Sequence, residues 1–224
     1  MSLVSFYNGW RLPWEAFVDA VRAKAPQAII SVDVTQALGR CVLNITGADI
    51  VISSTHKWLL GIHGGCVVGV PAAGGNRLTT KAGGWYHIRN AFDADRFDHA
   101  DQRIGAASYA VGMPSFAPIY ALNASMEFLL SIGVEQIARH ADPMVRSVYE
   151  GLLERGIPPL AAPTTSGIVA FKHPNAERIH QTLRSEQVHV MHQAGRLRLA
   201  LHGYNTKADV GRFFEVLDSI LAQR

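Results

Sequence analysis

The sequence predicts an α/β fold in two parts, on three observations. Short apolar runs rich in β-branched residues end abruptly in polar ones, as buried strands do. Segments with apolar residues at helical spacing alternate with these runs. Past residue 130 the alternation restarts as a compact set. Residues 4–130 are therefore expected to form a larger domain with a mostly parallel sheet, and residues 131–224 a small C-terminal α/β domain. Met1-Ser2-Leu3, ahead of a segment that reads like the middle of a domain, reads as a cloning leader.

The first helix opens at Pro13, a favoured first-turn residue, places Trp14, Phe17, Val18 and Val21 on one face, and stops at Ala25-Pro26. Ala28 to Val32 is too short for a helix and reads as a buried strand that breaks at Asp33. Asp49 to Ser53 is a second such run, ending in Ser54-Thr55-His56-Lys57; Cys66 to Val70 is a third, stopped by Pro71. Asp33 and Asp49 are separated by 15 residues, enough for the crossover that parallel strands need. Polar residues thus gather at the carboxyl ends of neighbouring strands, the edge where open α/β sheets bind ligands. Residues 72–115 are Gly-rich and aperiodic, which predicts a functional loop or a strand pair. Helices follow at 116–131 and 134–155, the second kinked by Pro143. The last part reads as strand 167–171, helix 175–185, strands 187–191 and 196–201, and helix 206–222. In that final helix Val210, Phe213, Phe214, Leu217, Ile220 and Leu221 form one stripe.

Composition narrows the function. The 224 residues are 48% hydrophobic and 17% charged, which excludes a disordered chain. Lys and Arg number 21 against 18 Asp and Glu, a net charge of +3, and they are scattered, so no nucleic-acid partner is expected. Two cysteines, Cys41 and Cys66, make no disulfide framework and fit a reducing, cytoplasmic setting. No apolar run nears the ~20 residues of a membrane span. No His pair has the close spacing with Cys or carboxylates that a zinc site shows, so no metal is expected.

The chemistry-bearing constellation is Asp33, Gln36, Ser54, His56 and Lys57. A lysine just past a buried strand is expected to be desolvated, which frees a neutral amine for a Schiff base. An aspartate on the adjacent strand end, ~4.8 Å across, lies where a planar ring over the sheet edge would meet it. That arrangement suits pyridoxal phosphate, whose pyridine nitrogen a carboxylate keeps protonated. Gln36 is then placed for the ring's phenolic oxygen, Ser54 for the phosphate and His56 for the ring or substrate. Each residue also has a plainer reading: Asp33 as a turn former or cap, Ser54-Thr55 as a turn cap, His56 beside Lys57 as surface.

The strings Ser31-Val32-Asp33-Val34-Thr35-Gln36-Ala37-Leu38-Gly39 and Ala48-Asp49-Ile50-Val51-Ile52-Ser53-Ser54-Thr55-His56-Lys57-Trp58-Leu59-Leu60-Gly61 together resemble the class V aminotransferase family, fold-type I pyridoxal phosphate enzymes. The resemblance implies Lys57 as the Schiff-base lysine, Asp33 as the pyridinium partner, Gln36 as the phenolate contact, Ser54 as a phosphate ligand and His56 as a residue at the cofactor. Arg198 to Thr206, Arg-Leu-Ala-Leu-His-Gly-Tyr-Asn-Thr, is similar to the family's small-domain motif, whose arginine binds the substrate carboxylate. Arg196, two residues earlier on the same strand face, is the rival. The resemblance further implies a homodimer and an amino-acid or oxo-acid substrate.

Four departures qualify it. The loop before Arg198 lacks the nucleophilic cysteine a desulfurase needs, which places the chain nearer isopenicillin N epimerase-like and kynureninase-like members than cysteine desulfurases. Met113 in Gly112-Met113-Pro114-Ser115 stands where relatives carry a hydroxyl for the partner's phosphate; a thioether donates nothing. Gly61-Ile62-His63-Gly64 replaces a Gly-Pro-x-Gly turn, which questions the rigidity of the loop. Upstream of Val4 the family carries most of a large domain, so the chain reads as N-terminally truncated, with a partial cofactor domain. Two functions follow: a pyridoxal phosphate-dependent aminotransferase-like enzyme acting through Lys57, or a truncated, non-catalytic relative serving as a fragment or dimerising scaffold.

Overall fold

A computed structural model describes residues 1–72, 77–163 and 165–222. The chain divides into two compact units, the first made of Met1–Leu3, Pro13–Thr35 and Asn44–Glu127, the second of Val4–Leu12, Gln36–Leu43 and Phe128–Arg224. Four residues of the Gly-rich stretch, 73–76, lie outside the described residues.

In the first unit α1 (Trp14–Lys24) buries Trp14, whose indole N–H donates to the Thr46 carbonyl at 2.9 Å. A three-stranded sheet follows in the order β1 (Ser31–Asp33), β2 (Ile50–Ser54), β3 (Cys66–Gly69). β1 and β2 are parallel, with Asp33 opposite Ile52, so both strands present their carboxyl ends on one edge, as the sequence predicts. β3 is antiparallel to β2. β1 starts three residues later than the expected strand because Ala28 to Ile30 is held by a side chain. Asp49 Oδ2 accepts the Ile30 amide at 2.7 Å and the Arg22 guanidinium at 2.7 Å, so Ile30 meets the β2 segment through its carbonyl alone, which accepts the Asp49 and Ile50 amides at 2.9 and 3.2 Å. Between residues 77 and 110 the chain forms a 3-10 turn at Gly105–Tyr109 and one isolated antiparallel bridge, Ile88 to Gln102.

α2 (Phe116–Ile132) and α3 (Val134–Glu154) are separated by Gly133, whose φ of 88° breaks the helical path. α3 continues through Pro143, which lacks the amide that would bond the carbonyl of Arg139. In the second unit β4 (Ile168–Lys172), β6 (Arg196–Ala200) and β5 (Met191–Gln193) form an antiparallel sheet in that order, flanked by α4 (Ala176–Ser185) and α5 (Lys207–Ala222). The expected strand at 187–191 is displaced to 191–193. Val188 and Val190 pack on the core from outside the ladder, so their apolar alternation reflects burial without strand pairing. The core of this unit joins Val148 and Leu152 of α3, Phe171 of β4, Ile179 and Leu183 of α4, Leu197 of β6, and Phe213 and Leu217 of α5.

Among the described residues no single helix is long and apolar enough to cross a membrane.

Candidate functional site

Asp33, Ser54, His56 and Lys57 all lie in the first unit, at or just past the carboxyl ends of β1 and β2. Asp33 Oδ1 accepts the amide of Thr35 at 2.8 Å, an Asx turn that fixes the carboxylate where β1 ends. The Ser54 amide donates to Thr35 Oγ1 at 3.0 Å. Thr35 is itself buried, so one residue joins both strand ends.

The turn that follows β2 is riveted on Thr55, which is fully buried. Its amide donates to the Gly65 carbonyl at 3.3 Å, its hydroxyl to the Ile62 carbonyl at 2.8 Å, and its carbonyl accepts from Gly61 N–H at 3.0 Å. A Cβ on Gly61 would stand 2.8 Å from the Thr55 carbonyl oxygen and one on Gly65 2.6 Å from its hydroxyl, so glycine is needed at both positions for this closeness. The loop is closed on itself without the proline of the usual turn. It carries His56 and Lys57 on its rim.

The expectation of a desolvated Lys57 does not hold: the side chain is exposed. The strand run ends at Ser54, and in the turn that follows Thr55, Trp58 and Leu59 are buried while Lys57 between them faces solvent. His56 stacks on His63 with ring centroids 3.8 Å apart and planes at 18°. Desolvation, followed by the nearby charges of His63 and Lys57, holds His56 below its usual protonation range. Neither Thr35, Thr55 nor the stacking role of His63 is apparent in the motif strings, because each acts through backbone groups or a ring met only after folding.

Gln36 and Arg198 belong to the second unit, and Gln36 is buried. Arg198 on β6 is half-buried; its guanidinium donates to the Phe6 carbonyl at 2.8 Å, while its buried Nε has no hydrogen-bond partner among the described residues. Burial and the neighbouring Arg196 pull its proton affinity down. The rival Arg196 also has a buried Nε without a hydrogen-bond partner among the described residues, but its other guanidinium nitrogens are taken. It is fully buried, donates to the Tyr7 carbonyl and to Gln193 Oε1 at 3.2 Å, and lies over the Tyr7 ring at 4.2 Å. Within the motif that begins at Arg198, Asn205 and Thr206 have structural work. Asn205 Oδ1 accepts the His202 amide at 2.8 Å, and Thr206 forms a reciprocal capping box with Asp209 at the start of α5.

β5 and β6 are joined by Ala194 and Gly195 alone, both at positive φ, 50° and 71°, the signature of a tight two-residue hairpin. The two cysteines lie elsewhere: Cys41 is buried, which raises its thiol pKa, and Cys66 is exposed on β3. Among the described residues no group of three or more His, Cys, Asp or Glu is arranged to hold a metal ion.

A carboxylate, a hydroxyl, an imidazole and an amine thus lie at or just past one strand edge, and comparison with solved structures shows the fold of fold-type I pyridoxal phosphate proteins. The chain superposes on the apo cysteine desulfurase from Thermococcus onnurineus NA1 with a TM-score of 0.85 at 21% identity, covering 100% of this chain and 59% of that one. It superposes on the cystine C–S lyase C-DES in complex with cysteine persulfide with a TM-score of 0.82 at 18% identity, covering 97% and 60%.

The chain belongs to the class V aminotransferase family, whose profile matches residues 1–213. This family uses pyridoxal phosphate. Among curated proteins, an uncharacterized aminotransferase of Bacillus subtilis, YcbU, is 28% identical over 211 residues, 92% of this chain and 55% of that protein. A probable cysteine desulfurase of Pseudomonas putida is 28% identical over 216 residues, 88% of this chain and 52% of that protein. The chain thus spans about half the length of these relatives.

Proposed function

We propose that the chain carries the lysine half of a pyridoxal phosphate site and acts, as an aminotransferase-like enzyme, on an amino acid or oxo acid. The observation that supports this most is the pinned parallel edge. Asp33 and Ser54 end adjacent strands, and the next residues lead into a rigid turn bearing His56 and Lys57. The cofactor, when bound, supplies the electron sink that stabilises negative charge at the substrate α-carbon.

The residues divide the work by their chemistry. Asp33 holds the pyridine nitrogen protonated with the carboxylate oxygen, Oδ2, that takes no hydrogen bond from the described residues. Ser54 holds the phosphate, Gln36 the phenolic oxygen, and His56 presents its ring face. Lys57 anchors the cofactor through its amine and then moves the proton at the substrate α-carbon. Arg198 binds the substrate carboxylate; its partial exposure, against the full burial of Arg196, supports that choice, since a guanidinium fork takes a carboxylate through two donors. The two-residue hairpin before Arg198, without a cysteine, argues against desulfurase chemistry.

A second reading, a non-catalytic relative that serves as a dimerising scaffold, draws support from the first unit's exposed apolar side chains, among them Phe92 and Tyr120. One titration decides between them. Purified protein with excess pyridoxal phosphate is expected to develop a visible absorbance band that borohydride fixes to the chain and that Lys57→Ala abolishes. No band at saturating cofactor refutes the enzyme reading.

A further inference from the structure

We propose that Thr35 is a positioning residue whose hydroxyl sets the spacing of Asp33 and Ser54, the carboxylate and phosphate contacts of the cofactor reading on which this inference rests. The backbone ladder between β1 and β2 ends when the Val34 amide donates to the Ile52 carbonyl at 2.8 Å. Residues of β2 alternate in the direction of their amides. The Ile52 carbonyl faces β1 and the Thr55 amide faces Gly65 on the β3 side, so the Ser54 amide faces β1, where the described residues offer no further backbone rung. Thr35 Oγ1 fills that place at 3.0 Å. Without it a part-buried amide is left unpaired, a loss larger than that of an exposed hydrogen bond.

The other contact of Thr35 is made by its backbone: its amide donates to Asp33 Oδ1 at 2.8 Å. One residue therefore grips the Asp33 carboxylate through its main chain and Ser54 through its side chain. Only the second grip depends on side-chain identity. Thr35 is 7% exposed, so Val fits its volume and removes the link alone, while Ser retains the oxygen.

The test compares wild type, Thr35→Val and Thr35→Ser as full chains in two measurements. Hydrogen exchange of the Ser54 amide is expected to speed up about tenfold or more in Thr35→Val and to change little in Thr35→Ser. The dissociation constant for pyridoxal phosphate, read by absorbance, is expected to rise about tenfold in Thr35→Val and to be rescued in Thr35→Ser. Unchanged Ser54 exchange in the valine variant overturns the proposal. So does faster exchange with unchanged cofactor affinity, which assigns Thr35 to strand stability only. Wild-type chain that takes up no pyridoxal phosphate refutes the cofactor reading itself, and with it the role given to Thr35 toward the cofactor.

Discussion

In the second unit Val148, Leu152, Phe171, Ile179, Leu183, Leu197, Phe213 and Leu217 meet in one cluster, brought there from two sheet strands and three helices. In the first unit Trp85, Phe92, Phe97 and Tyr120 stand at the surface, Phe97 with 85% of its area exposed. The first unit has buried apolar residues of its own, among them Leu3, Val32, Val34, Trp58 and Leu59, and adds a set of polar pins: the Trp14 indole on Thr46, Arg22 on Asp49, Thr35 on Ser54, and Thr55 on its own loop. Both units bury apolar side chains; in the first, the geometry of the strand edge and of the loop after it is set by hydrogen bonds. The candidate lysine, carboxylate and phosphate contacts sit in the pinned unit, where an edge is held in shape while its polar groups stay accessible.

The largest effect that breaks this comparison is a truncation in the core. Phe213→Ala is expected to destabilise the chain by about 3–5 kcal/mol in urea unfolding, because a fully enclosed ring leaves a cavity. Phe97→Ala, an equal deletion in the first unit, is expected to stay within about 0.5 kcal/mol. Similar losses for the two would mean that Phe97 is covered in solution.

A smaller effect tests the pins. Gly61→Ala drives its Cβ to 2.8 Å from the Thr55 carbonyl oxygen, a main-chain atom that cannot rotate aside. A cost of about 1–3 kcal/mol is expected, with faster hydrogen exchange at the Thr55 and Gly61 amides that close the loop. Gly112→Ala, where an added Cβ meets nothing within 4 Å, is the neutral control. Equal behaviour of the two variants would show that the turn carrying Lys57 is loose.

The parts legible in the sequence were those with local punctuation. β1 and β2 end at polar residues, Gly133 separates two helices, and the α5 stripe repeats at helical period, so each element follows from its own residues. What escaped is long-range. The second unit recruits Val4–Leu12, whose Phe6 and Tyr7 carbonyls take the guanidinium groups of Arg198 and Arg196; those pairs lie about 190 positions apart and leave no periodic trace. The site shows the same split. Asp33, Ser54 and Lys57 are visible by type and place, whereas the link from Thr35 to Ser54 depends on a register that exists only once the strands pair. Exposure of Lys57 was not legible either, because a strand run gives the burial of its own residues and says little about the turn that follows.

The smallest effect concerns the ring pair at the rim of the pinned unit. His56 titrates below its usual 6.5, first because it is desolvated and then because His63 and Lys57 add positive charge nearby. The folded chain therefore holds His56 neutral where the unfolded chain already binds a proton. Stability contributed by this group is complete above the usual value and falls as pH drops through 6.5 toward the depressed folded value. His63→Ala uncovers one face of the His56 ring and removes the facing charge, so the His56 titration followed by proton NMR is expected to move up toward 6.5 and the acid-side loss to shrink. His63→Phe keeps a stacked ring without charge and is expected to recover only part of that shift, since desolvation is the larger cause. Full recovery with Phe would reverse that order and make charge, not the cover of the second ring, the way this loop keeps His56 neutral.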